Sequence, residues 1–188
     1  MIIGIILASG FSKRFGKNDK LLSKIEGKTI IEMVCNNIVE SNLDEIILVY
    51  KNEKINKLIK HKEITKIRNY DASKGMSESL KIGVKNSNSL TKGYMFLMGD
   101  QPFIDKDIIN VLINEFKKHK GIILPVFNKK KSSPTIFSVK YKNELMNLEG
   151  DTGGRNLIKK YNKDVFEVYF KNNYNIDIDK VDDLETIN

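Results

Sequence analysis

Ile2-Ile3-Gly4-Ile5-Ile6-Leu7 runs directly into Ala8-Ser9-Gly10-Phe11-Ser12-Lys13-Arg14-Phe15-Gly16. An apolar run without polar alternation is the pattern of a strand buried on both faces, as in parallel sheets. The segment after it holds small residues and two cations and is bounded by Gly10 and Gly16. Glycine lets a ligand approach the main chain. Successive turn amides form a concavity for an anion, and the planar fork of Arg14 matches phosphate oxygens. Residues 8–16 are therefore read as a loop that grips a triphosphate, with Lys20 as a further phosphate contact. The spacing fits neither G-x-G-x-x-G nor G-x-x-x-x-G-K-[ST]. An ordinary strand-to-helix turn stays open as the alternative on these residues alone.

The 188 residues suit one domain spanning 1–188, long enough to bury a core without disulfides. With 40% apolar and 30% charged residues the composition is that of a folded chain rather than a disordered one. The single cysteine, Cys35, excludes a disulfide framework, fits a reducing cytoplasm, and falls in an apolar-periodic segment as a core residue. The first strand is too short for a secretory leader, and no apolar run approaches the ~20 residues that span a bilayer. The net charge of +8 is spread over the whole chain, with only Lys129-Lys130-Lys131 tightly clustered. Without aromatic-basic interleaving or a helix-turn-helix signal, this argues against nucleic acid and for attraction of small polyanions. Arginine is scarce, with Arg14, Arg68 and Arg155 beside 29 lysines. Two of the three lie in glycine-rich stretches, where bidentate phosphate geometry favours arginine over lysine.

Beyond the loop, Thr29 caps a helical pattern through Val39, and 46–50 is a second buried strand. A lysine-rich helix over 53–60 and a weaker strand over 64–69 follow. Gly75-Met76-Ser77-Glu78-Ser79-Leu80 opens a helix whose N-terminus is a docking place for a polar ligand. Residues 94–98 form a fourth strand ending on Gly99-Asp100-Gln101-Pro102, and 104–118 a helix capped by Asp105. Strands at 122–126, 134–139 and 165–169 and short helices at 142–146 and 156–160 complete the reading, with an extended segment at 176–179. This alternation predicts a mostly parallel sheet with helices on both faces. Ligands bind such sheets at strand carboxyl ends, where strand order reverses. The loops 8–16, 70–79 and 99–103 all fall at such ends.

Asp100 is the sharpest candidate. A carboxylate directly after a buried strand and a glycine can hold Mg²⁺ together with phosphate oxygens. The alternative is a turn aspartate. Asp177 and Asp179 alternate along an extended segment, so they share a face, and either can complete the metal site. Gly150-Asp151-Thr152-Gly153-Gly154-Arg155 is read as an anion-gripping loop or as a helix start capped by Asp151. His61 and His119 sit among polar residues without a partner at ligand spacing. The chain has no G-x-S-x-G, H-E-x-x-H or C-x-x-C motif.

Six segments in order resemble a known family. They are Leu7-Ala8-Ser9-Gly10-x-Ser12-x-Arg14-Phe15-Gly16 with Lys20-Leu21-Leu22, Gly75 to Leu80, Met98 to Pro102, Ser133-Pro134-Thr135-Ile136-Phe137, Gly150-Asp151-x-Gly153-x-Arg155, and Asp177-Ile178-Asp179-x-x-Asp182-Asp183-Leu184. The set is similar to the molybdenum cofactor cytidylyltransferases, which have a Rossmann-like nucleotidyltransferase fold. The resemblance implies that CTP and Mg²⁺ act on molybdopterin to give its cytosine dinucleotide, with a molybdoenzyme as eventual acceptor. It implies that Leu7, Ala8, Ser9, Gly10, Ser12, Gly16 and Gly99, with Arg14 and Lys20, hold the nucleotide. Gly75, Ser77 and Ser79 would lie near base and ribose, Asp100 with Asp177 or Asp179 on the metal, and Gln101, Pro134, Asp151 and Arg155 near the second substrate. The chain departs from the family in having Ser132-Ser133-Pro134 for Gly-His-Pro, Ser9 for a small apolar residue, and Phe15 for Met. Alternatives on the same scaffold are a guanylyltransferase and a sugar-phosphate nucleotidyltransferase. A non-catalytic partner that delivers cofactor is a third.

Overall fold

The computed structural model describes residues 1–11 and 19–171. The expectations placed on Ser12, Arg14, Gly16, Asp177 and Asp179 lie outside the described residues. Strand β1 (Ile2–Ala8) is buried along its whole length, as its apolar run predicts. The side chains divide by parity: Ile2 and Ile6 enter one core layer, Ile3, Ile5 and Leu7 the other. A two-stranded hairpin, β2 (Lys24–Ile25) and β3 (Lys28–Thr29), then leads into helix α1 (Ile30–Val39).

The elements that follow are β4 (Glu45–Tyr50), α2 (Glu53–Leu58), β5 (Ile64–Arg68), α3 (Met76–Lys85) and β6 (Gly93–Met98). After them come α4 (Lys106–His119), β7 (Ile122–Phe127), β8 (Lys130–Lys131), β9 (Thr135–Ser138), α5 (Lys142–Met146), α6 (Arg155–Lys160) and β10 (Val165–Phe170). The main sheet has the order β10-β7-β9-β6-β1-β4-β5, with β8 paired to β7. Among the described residues only β9 and β8 make antiparallel pairs in it. From β1 the chain steps outward through β4 to β5, and after α3 it returns to β6 on the other side of β1. Strand order therefore reverses between β1 and β6, where Leu7 stands opposite Met98. Ligands of open α/β sheets bind at this position.

Helices cover both faces. Val34, Cys35 and Ile38 of α1 and Ile108 to Phe116 of α4 pack on one layer. Leu80 and Val84 of α3, Leu145 of α5 and Leu157 of α6 pack on the other. Cys35 is fully buried and its thiol is pushed up to about 12, chiefly by that burial. Among the described residues no helix is long and apolar enough to cross a membrane.

Thr29 starts α1 with a reciprocal cap. Its Oγ1 accepts from the Glu32 N–H at 3.3 Å, and Glu32 Oε2 accepts from the Thr29 N–H at 2.9 Å. The Thr29 hydroxyl and then its amide hold the Glu32 carboxyl below its ordinary 4.5. A depressed folded pKa gives stability that is present above the unfolded value and is lost as pH falls through the folded one. Thr29→Ala is expected to cost about 1 kcal/mol at pH 7. In urea unfolding the gap to wild type should narrow as pH drops below 4.5.

Candidate active site

At the switch point the main chain of β6 continues one step past the strand. The Gly99 N–H donates to Leu7 O at 3.1 Å. A Cβ at Gly99 would lie 3.0 Å from that same oxygen, so the absent side chain lets the turn close on β1. Asp100 follows, 14% exposed, and meets the 15%-exposed Lys20. Lys20 Nζ donates to Asp100 Oδ2 at 2.5 Å. Asp100 Oδ1 is buried and has no hydrogen-bond partner among the described residues. A carboxylate with one oxygen on a cation and the other buried and left over has the donor chemistry of a hard oxygen ligand. The residues present thus fit the Mg²⁺ expected at Asp100.

Lys20 is positioned from its root. It opens a single helical turn over Lys20–Leu22, capped by Asp19, whose Oδ1 accepts from the Leu21 N–H at 3.1 Å. Asp19 Oδ2 accepts from Asn52 Nδ2 at 2.8 Å. Ala8 and Leu7 are buried, and Ser9 Oγ donates to Val49 O at 3.1 Å, tying the start of the loop to β4. Gly10 is exposed, with open space where a Cβ would stand. Lys51 Nζ lies 3.6 Å above the centre of the half-exposed Phe11 ring. Burial pushes the Lys51 ammonium down, and the Asp19 carboxylate offsets part of that.

The third loop is reached along the same sheet edge. The Asn69 N–H donates to Tyr50 O at 2.6 Å, and Asn69 Nδ2 donates to the buried Ser79 Oγ at 3.0 Å. Gly75 precedes α3 with φ +107°. Ser77 is fully buried, its Oγ without a partner among the described residues. The expectation of an open docking end on α3 is corrected here. The Met76 N–H donates to Asp151 Oδ1 at 2.9 Å and the Ser77 N–H to Gly150 O at 3.1 Å, so neighbouring chain fills these two amides. Asp151 is indeed a cap, of α3 rather than of α6, which its own loop starts.

Of the residues expected near the second substrate, Gln101 and Pro134 come together. Ser133 Oγ donates to Gln101 Oε1 at 2.7 Å, and Gln101 and Pro134 line one small cavity with Met98 and Ile104. Asp151 stands instead against the start of α3, and the exposed Arg155 opens α6. His61 Nε2 lies 2.8 Å from Asn36 Oδ1, and His119 stacks on Phe166 at 4.0 Å. Lys131 pairs with Glu167 at 2.8 Å at the far side of the sheet. Sequence reading missed Asp19, Asn52 and Asn69. The first two carry a usable signal, an Asx residue just ahead of a turn or helix.

A family model described as the MobA-like NTP transferase domain matches residues 4–165. The purine catabolism protein PucB of Bacillus subtilis is 27% identical over 84% of this chain and 80% of its own. A probable molybdenum cofactor guanylyltransferase of Natranaerobius thermophilus is 32% identical over 76% of this chain and 67% of its own. Among solved structures, Rv0371c of Mycobacterium tuberculosis superposes with a TM-score of 0.88 at 21% identity, covering 99% of this chain and 96% of that one. Its manganese complex superposes at 0.85 and 20% identity, covering 99% and 97%.

Proposed function

The chain belongs to the MobA-like NTP transferase family and is a nucleotidyltransferase, and within that class we propose that it transfers CMP from CTP to molybdopterin. In this reading the acceptor phosphate oxygen bonds to the α-phosphorus, the bond from that phosphorus to the β-phosphate breaks, and pyrophosphate leaves. The observation that carries it is the Lys20–Asp100 pair at the strand switch, with Asp100 Oδ1 left over. Bound Mg²⁺ would supply charge neutralisation at the phosphates, with Asp100 as its ligand and Asp177 or Asp179 as the second. The manganese complex of the Mycobacterium protein supports a divalent ion on this fold. Lys20, held by Asp100 Oδ2, keeps an ammonium beside the triphosphate. The main chain at Leu7–Gly10 and Gly99 is assigned to the nucleotide, with open space beside Gly10. Gln101, Pro134, Asp151 and Arg155 are assigned to the second substrate.

The acceptor phosphate is ionised at neutral pH, so transfer needs positioning and charge rather than a strong general base. This accounts for a site built without histidine or cysteine. The product would pass to a molybdoenzyme in the cytoplasm. One specific observation favours a second reading, with GTP as donor: the Natranaerobius relative is named a guanylyltransferase.

Incubation with CTP, molybdopterin and Mg²⁺ is expected to give a product with the mass of the cytosine dinucleotide. A guanine dinucleotide formed from GTP at higher kcat/KM selects the second reading. Chelation should stop turnover, and added Mg²⁺ or Mn²⁺ should restore it. Full activity in excess chelator would remove the metal from the account.

A further inference from the structure

The amide of Asn52 is engaged at both ends. Its Oδ1 accepts from the Lys54 N–H at 3.0 Å and so caps α2, while its Nδ2 donates to Asp19 Oδ2 at 2.8 Å. Asp19 in turn uses its other oxygen on the Leu21 N–H at 3.1 Å and its carbonyl on the Leu22 N–H at 2.9 Å. These bonds fix the turn from which Lys20 reaches Asp100. Phe11 and Asp19, on either side of residues 12–18, are thus held by the consecutive residues Lys51 and Asn52. A cap needs only the acceptor, which serine or aspartate supplies equally well. The donor on Asp19 is additional, and the amide supplies acceptor and donor from two separate atoms of one side chain.

We propose that Asn52 is a positioning residue of the nucleotide site, acting through Asp19 to hold Lys20 against Asp100. This rests on reading Lys20 as the cation that holds the triphosphate. A lysine has much rotamer freedom to lose when it binds phosphate. Fixing its root beforehand removes part of that loss from the binding step. Loss of the tie should therefore appear in nucleotide affinity more than in the rate of the bound complex.

Asn52→Asp tests this, because it keeps the cap and the size but sets a carboxylate against Asp19. The KM for Mg-CTP is expected to rise about tenfold, as for a lost hydrogen bond to a charged group, with kcat within about threefold. Acetylation of Lys20 by limiting acetic anhydride, read by mass spectrometry, should accelerate severalfold. The double exchange Asp19→Asn with Asn52→Asp restores one donor facing one carboxylate, and both side chains still cap their turns. It should bring KM and the Lys20 acetylation rate back to within about twofold of wild type. A purely structural role for Asn52 would lower the urea midpoint of the single variant without moving KM or the Lys20 acetylation rate. Wild-type KM and acetylation in Asn52→Asp, or a double exchange no better than the single one, would overturn the proposal. Acetylation that follows the expected pattern while KM does not move would also overturn it. If wild-type protein neither binds nor turns over any NTP, the nucleotide reading itself has failed, a result distinct from the others.

Discussion

Asp100→Asn is expected to lower kcat by about 10³ while the protein stays folded. A metal that neutralises transition-state charge is worth several kcal/mol, and each ~1.4 kcal/mol is tenfold in rate. Asparagine keeps the shape and one carbonyl oxygen but not the charge that holds a divalent cation. Lys20 loses an ionic partner and keeps a hydrogen-bond acceptor. Both side chains are partly solvated, at 15% and 14% exposure, so the stability cost should stay near 1 kcal/mol. Circular dichroism and urea midpoints would establish the fold, and steady-state rates at saturating Mg²⁺ the chemistry. A variant within threefold of wild-type kcat would show that Asp100 does not hold the metal.

Gly75→Ala is expected to destabilise the protein by about 3 kcal/mol or more and to disrupt the loop beside α3. Gly75 has φ +107° and ψ 179°, a region closed to L side chains at about 1–3 kcal/mol. A Cβ there would also stand 2.5 Å from the carbonyl carbon of Gly150 and 2.6 Å from its oxygen. These are main-chain atoms, which cannot swing aside as a side chain can. The loop must move, and the bonds from Ser77 N–H to Gly150 O and from Met76 N–H to Asp151 Oδ1 break with it. With Asp151 and Arg155 displaced, the KM for the acceptor should rise. Gly10→Ala is the control for stability, since a Cβ there meets nothing within 4 Å. Equal urea midpoints for Gly75→Ala and wild type would contradict the close seating of this loop.

The parallel core of the fold was readable because its signals are local. The uninterrupted apolar runs of β1, β4 and β6 announce strands buried on both faces, and alternation with helices limits how they connect. The same holds for Thr29 and Asp105, caps whose partners lie three residues away. Pairings made across the chain were not readable. Residues 134–139 look like a strand, but hydrophobic periodicity does not encode that β9 inserts antiparallel between β6 and β7. Asp151 was legible as a cap, yet the helix it caps starts at Met76, and only the packed structure brings the two together. Lys20 and Asp100 were each expected at the nucleotide end of the sheet. Their direct contact, and the tie from Asn52 through Asp19 that supports it, depends on how the β4–α2 corner meets the turn after β1.

The most direct test of the account is pyrophosphate release from each of the four NTPs in Mg²⁺, with and without molybdopterin. Release is expected from CTP, only when the pterin is present, in step with formation of the dinucleotide. Silence with all four nucleotides and molybdopterin present would contradict it.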